Sequence, residues 1–343
     1  MRIYTFLIQV AIAIGFLSSC QSKEIVYEKP SFPKTTSVTS HLLTDSALIA
    51  YPYGMCVDNR NIYILSLMDD TWIQAYDKQT GAFVGSGVKR GQGPGEVVMG
   101  ISLFFDSQED LFYVFDQSQM KLLSYQFDRD KQTFLFVKDK SFCGGKKVVR
   151  KAWSLKDDTY LIDGQLGEDT TGLRRFQIYS GEKVSTGYNH FPISEANEHP
   201  AFTMASVSLS PDKQKFAVGT LFGGILEQFK LDKGIKLSSV RYFYPIKAEF
   251  SSGMLCPTDE TIYGFSSLCA TNQWLYGVLI GNKDPNQFNT ICTFNWEGQE
   301  VAQYQADCLV FALGACATEP NRLYAIAFSQ EKGFYLVYFD LNS

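Results

Sequence analysis

The sequence predicts an all-β chain: a single six-bladed β-propeller with four antiparallel strands to a blade, its last blade completed by an N-terminal strand. Three observations predict this. A unit of short apolar runs, separated by turns bearing Asp, Asn and Gly, recurs six times. Its pitch is roughly 45–60 residues, the range of four-stranded blades. The runs are rich in Tyr, Phe, Val and Ile, the residues that suit a pleated, packed surface. Nothing between them is long and periodic enough for a substantial helix, and a β-sandwich would not repeat one unit so many times.

The second runs of the six units are 61–65, 111–115, 159–162, 215–218, 274–278 and 322–326. The third runs are 72–77, 122–128, 175–179, 226–232, 291–296 and 334–340. Five units add a fourth run, at 82–84, 134–137, 183–185, 240–243 and 300–304. The sixth has no residues left for one, because the sequence ends at Ser343. An unpaired outer edge there would invite aggregation. The segment 37–50, with Val38, Leu42 and Leu43, belongs to no unit and is expected to supply the missing strand as a clasp.

Ahead of it, Arg2 is followed by an apolar stretch through Leu17. This has the layout of a signal peptide, too short for the roughly 18 or more apolar residues of a spanning helix. Leu17-Ser18-Ser19-Cys20 reads as a lipobox, with Cys20 receiving the lipid. The expected organisation is therefore a signal peptide at 1–19, a lipid-anchored tether at 20–37 and the propeller at 38–343. Pro30, Pro33, Thr35 and Thr36 favour an extended spacer. The expected location is the cell envelope, lipid-anchored to the outer membrane, with the face open.

A net charge of −5 and a pI near 5.4 leave no basic footprint for nucleic acid. Eight Cys become seven once Cys20 is lipidated, and no CxxC or Cys/His spacing suggests zinc. They are expected as small, free core thiols.

The most specific local motif is Gly91-Gln92-Gly93-Pro94-Gly95-Glu96, lying after one outer run and before the next inner one. It resembles the Gly-x-Gly-Pro-Gly-Glu link of NHL-type propeller repeats, present here once. With the lipobox and six units, the chain is similar to the TolB-like six-bladed propeller lipoproteins of Gram-negative bacteria. That resemblance implies fold and export but no particular activity. Physically, Gly91, Gly93 and Gly95 permit φ > 0 while Pro94 fixes φ, so the link can double back across the top of the disc. A phosphate cradle would need a helix N-terminus after the glycines, and none follows.

Propellers bind at the mouth of the central channel, formed by inner-strand starts, the links between blades and the loops joining second and third strands. The inner-strand starts are read as Tyr53-Gly54, Met99-Gly100, Arg150-Lys151, Ala205-Ser206, Ser266-Ser267 and Phe311-Ala312. None carries a carboxylate, so neither a metal nor another cofactor is expected. Arg90, Lys146, Lys147, Arg150 and Lys151 could form an electropositive lip for an anionic ligand, or be a solvated loop. Asp69 and Asp70 beside Trp72 could offer acceptors next to a stacking ring for sugar, or be turn residues. His190 and His199 flank a loop holding Ser194 and Glu195. A triad needs geometry and a nucleophile elbow, and no such elbow is present.

No catalytic residue is singled out. The expected function is non-enzymatic binding of a glycan or envelope protein by a monomer. The alternative is a propeller glycan hydrolase or lyase with acid/base residues in the long links 187–206 and 245–266.

Overall fold

In a computed structural model of the chain, the described residues are 25–47, 49–142, 148–166, 175–181, 183–193, 196–251 and 254–341. The segment 1–19 read as a signal peptide, Cys20, Cys143, Lys146, Lys147, Ser194 and Glu195 lie outside them.

Each of the six units forms one antiparallel sheet, and the second and third strands are buried on both faces. Asn61–Met68 is buried from its first residue to its sixth, and Thr71–Asp77 from its second to its sixth. Strands this apolar on both sides need a sheet against each face, and stacking blades around an axis supplies one. Blade one comprises Gly54–Val57, Asn61–Met68, Thr71–Asp77 and Phe83–Lys89. Blade two runs from Gly100–Asp106 to Thr133–Ser141, and blade three from Val148–Ser154 to Lys183–Tyr188. Blade four runs from Ser206–Leu209 to Lys236–Tyr242, and blade five from Phe265–Ala270 to Glu300–Ala306. Blade six contributes Leu309–Ala315, Arg322–Ser329 and Gly333–Asp340.

One apolar core fills each space between neighbouring blades. Tyr63, Leu65, Phe112 and Val114 join blades one and two, and Phe115 meets Ile162 between two and three. Trp153 and Leu161 face Phe216 and Phe229 between three and four. Ala217 meets Phe265 and Leu275 between four and five, and Val278 meets Val310 between five and six. Val57 and Ile62 against Tyr324 and Ile326 close the ring. The seam between blades three and four also holds a buried ion pair. The Arg175 guanidinium donates to Glu227 through both terminal nitrogens, Nη1 reaching Oε1 at 2.8 Å. A buried charge pair of this kind tolerates loss of neither partner.

The clasp forms as expected: His41–Thr44 pairs antiparallel with Gly333–Asp340 as the outer strand of blade six. The residues before it are also engaged. Thr35–Val38 pairs in parallel with Glu300–Ala306, adding a fifth strand to blade five. Phe32 packs into the core between blades four and five, and Ile25 against apolar residues above blade four. Glu28 N–H donates to Tyr242 O at 2.9 Å. From residue 25 onward the segment read as a spacer thus lies along the rims of blades four and five.

The two long links pack on each other. A 3-10 helix, Ala196–Met204, and a hairpin, Ala248–Ser251 with Met254–Pro257, share a small core of Ile193, Ala201, Phe202, Ile246 and Leu255. The Gly-rich link is a closed turn. Gly93 N–H donates to Glu96 Oε2 at 2.8 Å, and Tyr125 Oη donates to Gly95 O at 3.2 Å. Gly95 has φ +72°, and a Cβ there would lie 2.6 Å from the Phe136 ring. Only glycine fits.

Candidate functional site: the channel and its mouth

The inner strands of all six blades line a central channel of about 670 Å³. Residues preceding these strands form one mouth, and residues following them form the other.

Cross-blade contacts place the inner strands on common levels. Ser206 Oγ accepts the Leu268 N–H at 3.0 Å, and Ser267 Oγ accepts the Leu313 N–H at 3.3 Å. A Cβ on Gly54 would lie 3.1 Å from Leu103 N. In each case the contact is to the residue just after the equivalent position on the next blade, so Gly54, Ser102, Ser206, Ser267 and Ala312 share one level. Inner strands two, three, five and six each carry a bulge just before that level, at Ile101, Arg150, Ser266 and Phe311. Lys151 follows its bulge as Ser102, Ser267 and Ala312 follow theirs, and is the sixth member of the ring. In blade two the ring position is therefore Ser102, two residues beyond Gly100. The bulge residue Ile101 lies between the position read from sequence and the ring position.

The ring holds hydroxyls, small residues and one ammonium. This donor set is the reverse of what calcium takes, which is six to eight oxygens, often from carboxylates. Ser102 Oγ is buried and has no hydrogen-bond partner among the described residues. Lys151 lines the channel, and burial holds its ammonium below the ordinary lysine range against the pull of Asp163, with Arg150 adding to the depression.

Above the ring lies an arc of aromatic side chains. Tyr51 stands edge-on to Tyr53 at 5.3 Å, to Phe311 at 5.6 Å and to Phe334 at 6.4 Å between ring centroids. Phe311 continues the arc to Phe334 at 5.0 Å and Phe288 at 6.3 Å. Tyr51 is 56% exposed and Tyr53 42%, unusual for rings so closely packed. Exposed Met204 and Met99 stand on the other blades of the same face. This arc was not found from sequence, although Tyr51, Tyr53 and Phe311 all sit at or just before inner-strand starts.

The residues anticipated from sequence are only partly brought together. Arg150 and Lys151 are neighbours in sequence but part ways at the bulge. Arg150 Nε and Nη2 both donate to Asp163 Oδ1, at 3.0 and 2.5 Å, so Arg150 is committed to its own blade. Lys151 enters the channel. Arg90 is exposed at the end of its outer strand, its N–H bonded to Asp70 O. Lys146 and Lys147, the other two residues of the expected basic lip, lie outside the described residues. Asp69 and Asp70 form an exposed turn, with φ of 44° and 66°. Trp72 cannot stack on a ligand: it is 3% exposed, and its Nε1 donates to Val97 O at 2.8 Å. His190 is exposed, with its ring against Tyr188 at 5.6 Å. His199 falls within the Ala196–Met204 turn of 3-10 helix.

The opposite mouth carries the remaining charged lining: Asp58, Asp110, Arg129 and Lys213. Asp58 accepts from Tyr63 Oη at 2.8 Å and pairs with Arg129 at 3.5 Å. Lys213 is paired with Asp106. No group of three or more His, Cys, Asp or Glu suited to a metal occurs among the described residues. The six described cysteines are free, and burial pushes the Cys269 thiol up to about 12. Among the described residues no helix is long and apolar enough to cross a membrane.

Fold and site together define a six-bladed propeller with an aromatic-rimmed channel. The TolB-like 6-blade propeller-like family matches residues 31–313, and the chain belongs to that family. No curated protein matches it. Among solved structures, the chain resembles a Bacteroides fragilis protein whose name marks it as exported, at 14% identity and TM-score 0.53, covering 89% of this chain and 98% of that one. Regucalcin from Agrobacterium tumefaciens, a calcium-binding protein, is similar at 10% identity and TM-score 0.52, covering 90% and 97%. A luciferin-regenerating enzyme is similar at 9% identity and TM-score 0.53, covering 89% and 96%. At such identities the likeness is one of fold alone.

Proposed function

We propose that the protein is an exported lipoprotein of the cell envelope, anchored to the outer membrane through Cys20, whose propeller binds a glycan at its aromatic mouth without acting on it. The observation that carries this reading is the aromatic arc in which exposed Tyr53 and Tyr51 are backed by half-buried Phe311 and Phe334. Exposed aromatic faces at a concave rim are costly to leave in water and suit the apolar faces of sugar rings. Catalysis by hydrolysis would call for two opposed carboxyls. Among the described residues, the carboxylates lining the channel, Asp58 and Asp110, instead belong to the far mouth. The long links are held together by an apolar core.

The test is a glycan array probed with the mature protein and with a Tyr51→Ala/Phe311→Ala variant. The expected result is a saccharide signal that the variant loses while its thermal transition is unchanged. Equal signals from both proteins would overturn the mouth as the binding site. Palmitate labelling in cells, present in the wild type and absent in Cys20→Ala, tests the anchor.

A further inference from the structure

We propose that the saccharide bound at this mouth is acidic, and that its anionic group descends to the Lys151 ring; this rests on the glycan-binding reading above. Lys151 is the one charged residue among those described as lining the mouth half of the channel. Its charge is desolvated, and its cross-strand partner Asp163, the carboxylate that acts on it, is already held by two hydrogen bonds from Arg150. A cation in that position has no full counter-charge from the protein, and a bound anion would supply one.

The neighbours on the ring have the right polarity. Ser206 and Ser267 each accept a backbone N–H from the next blade, so each hydroxyl keeps its own proton to donate. Ser102, on the blade beside Lys151, holds a buried hydroxyl without a partner among the described residues. One ammonium and three hydroxyls at one level, with no carboxylate, make a donor-rich ring.

The spacing suits a saccharide. Tyr53 directly precedes ring residue Gly54, and Phe311 directly precedes ring residue Ala312. One residue of strand rises about 3.3 Å, so the aromatic rim stands a single step above the ring. A pyranose resting on Phe311 would hold an exocyclic carboxylate or phosphate about one residue's rise from the ring level, within reach of the long Lys151 side chain.

The experiment is calorimetric titration of the mature protein with matched oligosaccharides of one linkage: one glucuronate-bearing, one with neutral glucose in its place, and one bearing a sugar phosphate. Wild type, Lys151→Met and Tyr51→Ala are compared. Lys151→Met should lose at least about tenfold affinity for the anionic ligands, the scale of a charge-assisted hydrogen bond. It should keep its affinity for the neutral one, which also shows that it is folded. Tyr51→Ala should weaken all three. The preference between glucuronate and phosphate in wild type identifies which anion the ring takes. Unchanged anionic affinity in Lys151→Met, with Tyr51→Ala still impaired, overturns this inference alone. Absence of any saccharide binding to the wild type overturns both it and the glycan reading.

Discussion

The His41 imidazole lies stacked on the Tyr338 ring, with centroids 4.8 Å apart and planes inclined by 16°. The two residues are cross-strand partners in blade six, so this contact is the side-chain face of the clasp. Directly opposed rings of this kind contribute up to about 1 kcal/mol beyond the ladder itself. The larger contribution of the clasp is to cover a sheet edge.

Two truncations separate the clasp from the strand before it. Removing residues through 39 deletes the parallel strand on blade five but leaves His41–Thr44 in place, and a soluble protein with a modestly lowered melting temperature is expected. Removing residues through 50 uncovers blade six, and aggregation or loss of cooperative unfolding is expected. Circular dichroism melts and size-exclusion chromatography of both proteins decide the matter. A soluble, cooperatively melting product of the longer truncation would rule out the clasp as the closure of the ring.

Lys151 is expected to cost stability. Its folded-state pKa is lowered, mainly by burial, with Asp163 opposing and Arg150 adding. Between that value and the ordinary lysine value of 10.5, the unfolded chain binds the proton more readily than the folded one. Stability therefore rises with pH across that window. Lys151→Met should melt higher than wild type at neutral pH, with the gap narrowing as pH approaches 10.5. Melting curves at a series of pH values test this, and a destabilised Lys151→Met at neutral pH would contradict it.

Trp72 and Tyr51 should behave oppositely. Trp72 fills the core between blades one and two and donates to Val97 O, so Trp72→Ala should cost roughly 3–5 kcal/mol. Tyr51 is largely exposed, and Tyr51→Ala should change stability by less than about 1 kcal/mol. Urea denaturation of the two variants measures the contrast.

Gly95 and Gly333 share nearly the same backbone conformation, φ +72° and +69°. At Gly333 an added Cβ meets nothing within 4 Å, whereas at Gly95 it meets the Phe136 ring. Gly333→Ala should cost about 1–2 kcal/mol for the left-handed backbone alone. Gly95→Ala should cost about 1–3 kcal/mol more, from overpacking. Equal losses in chemical denaturation would mean that the link turn yields freely.

The propeller was legible because its signal is local and repeated: each second and third run is a dense apolar strand bounded by turns. The clasp was legible as a leftover strand opposite a missing one. The ring was harder in blade two, where the sequence reading stopped at Gly100, short of the bulge at Ile101 and of Ser102 beyond it. The same device separated Arg150 from Lys151, which the sequence presents as one basic cluster. Trp72 read as a free ring because it opens a third strand at the mouth. Its burial depends on Val97, a residue of the link leading to the next blade. The fifth strand at Thr35–Val38 was hidden by prolines that read as spacer.

The clasp also bears on the order in which the molecule can be made. Lys332 meets Asp45 beside it, 287 positions along the chain, so ring closure is among the most non-local events such a fold allows. During synthesis the early segment waits, unpaired, until the last blade has emerged. A chain with that wiring stays open while it grows. For a protein that must thread a membrane before folding, as proposed here, delayed closure protects its passage.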